Sequence, residues 1–258
     1  MIKEIIKYRD LLFMLTLRDI RIRYKQAIMG FIWAIFMPII AILAGVMIKA
    51  AISIVSGKQM DLSGAESIAV KVLPWTFFVS AIKFSVNSLV GNRDLVTKIY
   101  FPREVFPLSS TLACLFDFAV ATVSLSLLLA ITRIGASIHL LWLPFLLILL
   151  IIFTTGLSLF LSAANLFYRD VKYVVEIILM FGIFFTPVFY QASDFGKWKN
   201  LILLNPVGSI LEAFNNTVVL HKMPDLLWVS YACATSISMF FIGLLVFQKT
   251  EPFFAENI

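Results

Sequence analysis

The sequence predicts an all-α integral membrane protein, and three observations carry the prediction. Of its 258 residues, 61% are hydrophobic and 14% charged, whereas an ordinary soluble domain carries about 25% charged side chains. Mean hydropathy is +0.97. Six apolar runs, at 30–48, 73–90, 105–131, 140–167, 171–189 and 226–247, approach or exceed the roughly 20 residues that a helix needs to cross hydrocarbon. The formal charge of +6 does not point to nucleic acid, because the basic residues concentrate beside apolar runs, where they hold loops against anionic lipid.

One element precedes the first span. Residues 2–25 have helical periodicity, with Ile2, Ile5, Ile6, Leu12, Phe13, Leu17, Ile20 and Tyr24 on one side and Lys3, Lys7, Asp10, Arg18, Arg21 and Lys25 on the other. This reads as an amphipathic helix in the headgroup plane or packed on the bundle itself. Residues 1–27 are thus expected to form a cytoplasmic interfacial segment ahead of a transmembrane domain over 28–258. The first run ends without a small-residue cleavage site, so the first span is expected to be retained.

Spans 2 and 3 flank a charged island at 92–107, too polar for lipid and too short for a domain, which reads as a docking element for another protein. Spans 4 and 5 are joined by a smaller polar turn containing Tyr168, Arg169, Asp170 and Lys172. Between spans 5 and 6, the segment 191–225 holds two apolar pieces, 201–204 and 210–220, broken by Asn205 and Pro206. Neither can cross, so they read as re-entrant or interfacial half-helices packed against protein, or as a surface hairpin.

With the N-terminus inside, the inner segments carry 13 lysines and arginines and the outer segments 7, Lys71 being counted outside and Lys83 within a span. The excess is heaviest before the first span, where it weighs most. Both termini are therefore expected in the cytoplasm, and the island, the turn at Arg169 and Asp170 and the basic helix share that face.

The chain is not expected to hydrolyse ATP. Lys58 and Lys197 each follow a glycine, but neither has the next Ser or Thr, nor the upstream glycine, of a phosphate loop. His139 and His221 stand alone, without ligands at zinc spacing. Ser124, Ser126, Ser158 and Ser162 read as helix-packing residues with no base beside them. Cys114 and Cys233 fall in apolar runs as small buried hydrophobes. No enzyme, metal or resident cofactor is expected.

Ionisable residues inside spans cost about 2.5–3.5 kcal/mol at mid-membrane, and Lys83, Asp117 and Glu176 are such residues. Lys83 precedes Asn92 by nine positions and Asp117 follows Glu104 by thirteen, so antiparallel spans bring them to similar depth, as a transport pair or as a structural contact. Glu176 lies one helical turn past Lys172 and reads as half of an ion pair at the inner rim. Trp75, Phe77 and Phe78 open span 2, Phe184, Phe185, Phe189 and Tyr190 close span 5, and Trp198 lies just beyond. These aromatics, with Trp33 and Phe36 of span 1, are either interface belt residues or the lining of a channel and its exit, suited to stacking on sugar rings.

The stretch Leu17, Arg18, Asp19, Ile20, Arg21, Ile22, Arg23, Tyr24, Lys25, Gln26, followed by Gly30, Trp33 and Pro38, resembles the opening segment of bacterial polysaccharide-exporting ABC transporter permeases, the O-antigen, capsule and teichoic-acid group. The island, the run from Asn165 to Asp170, then Thr186, Pro187, Val188, Tyr190, Asn205, Pro206 and the tail Phe254, Ala255, Glu256 continue the resemblance. It implies a six-span subunit that forms a homodimer in the bacterial inner membrane, binds two copies of a separate ATPase that carries ATP and Mg, and exports a lipid-linked glycan, most like O-antigen. It implies a coupling surface at Arg93, Asp94, Lys98, Tyr100, Phe101, Arg103 and Glu104, which Arg169 and Asp170 of the second turn would join. Arg18, Arg21, Arg23 and Lys25 would then attract the lipid diphosphate. Two other readings are a permease of the same architecture for a drug or simple lipid, and a proton-coupled transporter using Lys83 and Asp117.

Overall fold

A computed structural model describes residues 7–25, 32–56, 62–98, 101–131 and 137–257. Within them lie α1 (Arg9–Tyr24), α2 (Trp33–Ser56), α3 (Leu62–Val86), α4 (Arg93–Lys98), α5 (Val105–Ile131), α6 (Trp142–Phe167), α7 (Val171–Phe185), α8 (Pro206–Val218) and α9 (Leu226–Thr250). Among the described residues, Gly64–Val86, Val105–Ser126, Ile138–Phe167 and Leu226–Phe253 are long and apolar enough to cross a membrane, and Ile35–Ala51 of α2 is a shorter apolar helix. The chain is thus an all-α multi-pass membrane protein.

Several helix boundaries differ from the expected spans; the first was expected to end at residue 48, but α2 runs to Ser56. The second span was expected at 73–90, but α3 begins at Leu62 and ends at Val86, because Asn87 interrupts it before the single turn Ser88–Gly91. The fifth was expected to reach residue 189, but α7 stops at Phe185, where Thr186 takes an extended conformation ahead of Pro187. A proline removes a backbone donor and disfavours helix in the residue before it.

α3 is the most enclosed of the four long spans and α9 the least. The main core gathers Trp75, Phe78 and Ile82 of α3, Leu146 and Leu150 of α6, Val188, and Val207 and Leu211 of α8. α6 and α9 cross at two glycines: a Cβ on Gly156 would come within 2.5 Å of the Phe240 Cα, and one on Gly243 would collide with the Gly156 carbonyl. Small residues let helix backbones approach where lipid offers no hydrophobic drive to associate.

A second core closes the island end. Leu15 of α1, Val96 of α4, Phe101, Val105 and Phe106, Leu159 and Leu166 of α6, Phe247 of α9 and Phe254 of the tail form one cluster. Phe254 meets Phe247 edge-on at 5.1 Å and Phe167 at 6.0 Å between ring centroids. Asn165 locks three elements here, donating to the Val86 carbonyl at 2.9 Å and accepting from the Lys172 amide at 3.2 Å.

α1 runs alongside α5 with contacts that advance in step. Leu15 clusters with Val105 and Phe106, Ser109 donates to Asp19 at 3.2 Å, and Arg23 reaches Asp117 at 2.7 Å. The expected separation into two clean faces does not hold: Phe13, Met14 and Ile22 are exposed, while Arg23 turns inward. Its partner carboxylate is on another helix, which the periodicity of α1 cannot reveal.

Candidate functional site

The first candidate site is a cavity of about 710 Å³ between α1, α2, α3 and α5, lined by Arg23, Tyr24, Trp33, Met37, Phe77, Lys83, Phe84, Cys114, Asp117 and Phe118 among others. Asp117 accepts from Arg23 Nη1 and from Tyr24 Oη, each at 2.7 Å. The Arg23 guanidinium lies 3.8 Å over the Phe84 ring and its Nη2 donates to Cys114 Sγ at 3.4 Å. Burial first, then the bond to Asp117, raises the Tyr24 phenol above its ordinary value, so it remains a neutral donor. Lys83 and Asp117 do share one cavity, as antiparallel register predicts, and no ion pair joins them among the described residues. Asp117 belongs to Arg23 and Tyr24, since α1 supplies a guanidinium that reading the spans alone left out.

Arg18, Arg21 and Lys25, by contrast, stay together on the outer side of α1, around a concavity also lined by Met14, Leu17, Ile22 and Tyr24. Arg18 pairs with its neighbour Asp19 at 2.9 Å. The expected basic set of four therefore divides into three residues outside and Arg23 within. Glu176, expected to pair with Lys172, makes no ion pair with it among the described residues. It faces the groove between α3 and α7, and the Lys172 ammonium lies 4.6 Å over the Tyr173 ring.

The island itself is divided in role. Arg93 and Asp94 are exposed on α4, and Tyr168, Arg169 and Asp170 are exposed on the turn between α6 and α7. The Asn165 bond to Val86 holds both segments at one end of the bundle. Phe101, Arg103 and Glu104 do not lie on that surface. Phe101 is enclosed against Phe106 at 5.4 Å, Glu104 is 2% exposed, and Arg103 is half-buried. The Arg103 guanidinium donates to the Glu251 carbonyl at 2.6 Å, and its amide to the Glu251 carboxylate at 3.2 Å. Contact with the tail after α9 encloses Phe101 and Arg103. Tyr100 and the side chain of Lys98 lie outside the described residues.

At the far end, Lys71 sits in α3 rather than in an outer loop. It is fully buried, donates to the Tyr190 carbonyl at 2.5 Å, and pairs with Glu212 of α8 at 3.7 Å. Neither residue was expected to matter. A lysine flanked by Val70 and Val72, and the one acid in the apolar pieces 201–204 and 210–220, were the available signals. Asn205 caps α8 by accepting from the Val207 and Gly208 amides at 3.1 and 3.4 Å, and donates to Thr186 Oγ1 at 2.8 Å.

The aromatic set is also divided. Trp75, Phe77 and Phe78 are core residues rather than interface or channel residues, because α3 lies at the centre of the bundle. Phe189 packs against Gly45, where a Cβ would approach its ring to 2.7 Å, and the Tyr190 ring meets Phe195 at 4.8 Å. Phe185, Trp198 and Phe36 are exposed, with Trp33 edge-on to Phe36 at 5.7 Å. Among the described residues no cluster of three or more His, Cys, Asp or Glu could hold a metal ion.

Residues 10–219 match the ABC-2 type transporter family. The O-antigen export system permease protein RfbA of Myxococcus xanthus is 26% identical over 264 residues, covering 100% of this chain and 99% of the relative. The Klebsiella pneumoniae protein of the same name is 29% identical over 254 residues, covering 96% of this chain and 94% of the relative. The polysialic acid transport protein KpsM of Escherichia coli is 24% identical over 246 residues, with 92% of each chain covered.

Proposed function

The chain belongs to the ABC-2 type transporter family, and on that premise we propose that it is the membrane-spanning permease subunit of an ABC exporter for a lipid-linked polysaccharide of the O-antigen type. The observation that carries the cargo class is similarity along nearly the whole chain to proteins named as O-antigen export permeases. ATP and Mg belong to a separate P-loop ATPase, in keeping with the missing phosphate loop here.

In this reading the subunit is a homodimer in the bacterial inner membrane with both termini cytoplasmic. α2, α3, α5, α6, α7 and α9 cross the bilayer, the segment 191–225 dips in without crossing, and residues 1–27 attend the inner interface. Arg93, Asp94, Arg169 and Asp170, with Lys98 and Tyr100, meet the ATPase, while Phe101, Arg103 and Glu104 anchor the loop that meets it. Arg18, Arg21 and Lys25 receive the anionic lipid head, and Phe36, Phe185 and Trp198 offer exposed ring faces to the glycan. A proton-coupled transporter using Lys83 and Asp117 is the less favoured reading, since Asp117 is engaged by Arg23 and Tyr24.

The test is coexpression and copurification with a P-loop ATPase subunit from the same organism, reconstitution in vesicles, and addition of lipid-linked glycan. Stimulated hydrolysis and ATP-dependent export are expected. Export that follows a pH gradient and persists without ATP would reject the proposal.

A further inference from the structure

At the end of the bundle away from the island, a cavity of about 230 Å³ opens between α8, the start of α9 and the single turn Lys199–Leu203. Pockets that hold drug-sized ligands usually measure roughly 300–1,000 Å³, so this one takes a smaller group. Its level in the membrane follows from α9. Asp225 caps that helix by accepting from the Leu227 amide at 3.1 Å, and the apolar stretch long enough to cross a membrane starts at the next residue, Leu226. Trp228 in the first turn lines the cavity. Tyr231, one turn on, donates to the Leu204 carbonyl at 2.8 Å and holds the Lys199–Leu203 turn against α9. The opening therefore stands where hydrocarbon gives way to headgroups, the level that tryptophan favours.

Charges of both signs border it: Lys199 and Lys222, Glu212 and Asp225. The Glu212 side chain is only 13% exposed. Its Oε2 lies 3.7 Å from the Lys71 ammonium, beyond hydrogen-bond length, and has no hydrogen-bond partner among the described residues. An enclosed carboxylate oxygen without a donor is costly, and a donor entering through the cavity would satisfy it. A group that carries both an ammonium and a phosphate matches all four charges, as neither a neutral sugar nor a simple anion does. Quaternary ammonium groups are held in cages of aromatic rings, whereas Trp228 is the one ring among the lining residues. Two carboxylates suit an ammonium that keeps its N–H donors. Leu203 and Leu220 also border the cavity and offer an apolar flank.

We propose that this cavity binds the head of a zwitterionic glycerophospholipid with a primary ammonium, phosphatidylethanolamine. The ammonium meets Glu212 and Asp225, the phosphate meets Lys199 and Lys222, and the acyl chains leave along Leu203 and Leu220. The bound head supplies the donor that Glu212 Oε2 lacks and so strengthens the join of α8 to Lys71 of the central span. The ligand is a lipid of the surrounding bilayer rather than the exported molecule, so the site stands independently of the exporter reading.

The experiment uses the full-length permease, stripped of lipid in detergent and titrated with phosphatidylethanolamine, phosphatidylcholine, phosphatidylglycerol or free glycerophosphoethanolamine. Native mass spectrometry reads bound lipid and thermal unfolding reads its effect. Phosphatidylethanolamine is expected to bind about tenfold or more tightly than the other three and to raise the unfolding temperature. Lys199→Gln combined with Lys222→Gln is expected to weaken its binding about tenfold or more through loss of charge-assisted contacts, and Lys197→Gln, a nearby lysine outside the cavity, to leave it unchanged. Asp225→Asn keeps a residue able to cap α9 and is expected to narrow the preference for ethanolamine over choline, an effect that mere loss of stability would not produce. Asn216→Phe fills the cavity without removing a charge and is expected to weaken binding as well. Wild-type affinity in both Asn216→Phe and the double lysine variant overturns the site, as does equal loss in Lys197→Gln. Equal binding of ethanolamine and choline lipids by the wild type overturns the assignment of the ammonium, and glycerophosphoethanolamine binding as tightly as the lipid overturns the bilayer as its source.

Discussion

Lys71 shows how much one side chain can hold in a membrane protein. It is enclosed in α3, yet its ammonium joins the Tyr190 carbonyl to Glu212, so a single residue ties the segment after α7 and the short helix α8 to the central span. Removing one partner of a buried pair strands the other charge. Lys71→Met is therefore expected to destabilise the protein by about 3–5 kcal/mol, and Lys71→Met with Glu212→Leu to regain most of that loss. Thermal unfolding of the purified permease checks this; a double variant no more stable than the single would show that the Tyr190 bond, not the ion pair, carries the effect. The pair was hidden in the sequence because each charge lies in an apolar stretch of its own, 141 positions from the other, and nothing local announces a partner. Asp117 teaches the same lesson with the opposite sign. Its charge is conspicuous in the sequence and its partners are not, because Lys83 is near in chain topology while Arg23 and Tyr24 are near in space.

At the scale of elements, the tail after α9 acts as a clasp on the charged island. Arg103 grips Glu251, and Phe254 plugs the cluster that holds Phe101, Phe106 and Phe247. Phe254→Ala deletes an enclosed ring and is expected to cost about 3–5 kcal/mol, and to reduce glycan-stimulated ATPase activity in the assembled complex more than ATPase binding. Phe254→Leu should keep most of that stimulation; if both variants leave it intact, the clasp has no part in coupling. Alanine at Arg103 and Glu104 would disturb packing as much as docking, since neither presents its side chain freely to a partner. The α6–α9 crossing supplies a structural counterpart. Gly156→Val has no room beside Phe240, so the expected outcome is a lowered unfolding temperature or loss of monodisperse protein in detergent. Unchanged behaviour by size exclusion and thermal melting would mean that the helices can separate without penalty.

For the whole molecule, the exposed charges of α4 and of the turn between α6 and α7 lie at one end of the bundle and the Lys71–Glu212 pair at the other. On the proposed exporter reading docking falls to the exposed charges, and Arg93→Glu combined with Arg169→Glu is expected to lower the amount of ATPase recovered by copurification, with weakening by salt in the wild type because surface charge attraction is screened over about 10 Å at 0.1 M. Undiminished recovery would place the ATPase elsewhere. The class of protein, the long apolar helices and the polar island were legible in the chain because hydropathy is summed over neighbours in sequence, and a bilayer admits few backbones besides the helix. The resemblance over the island and the paired Asn205 and Pro206 was legible for the same reason, being made of short contiguous runs. What the tertiary structure alone decided is which polar residues are free and which are spent. Arg23, Lys71, Phe101 and Arg103 each look like surface or loop residues until a distant segment meets them. The physical reason is that burial of a charge or a ring is a property of the pair that meets, and the chain brings Arg23 to Asp117 and Arg103 to Glu251 only by folding.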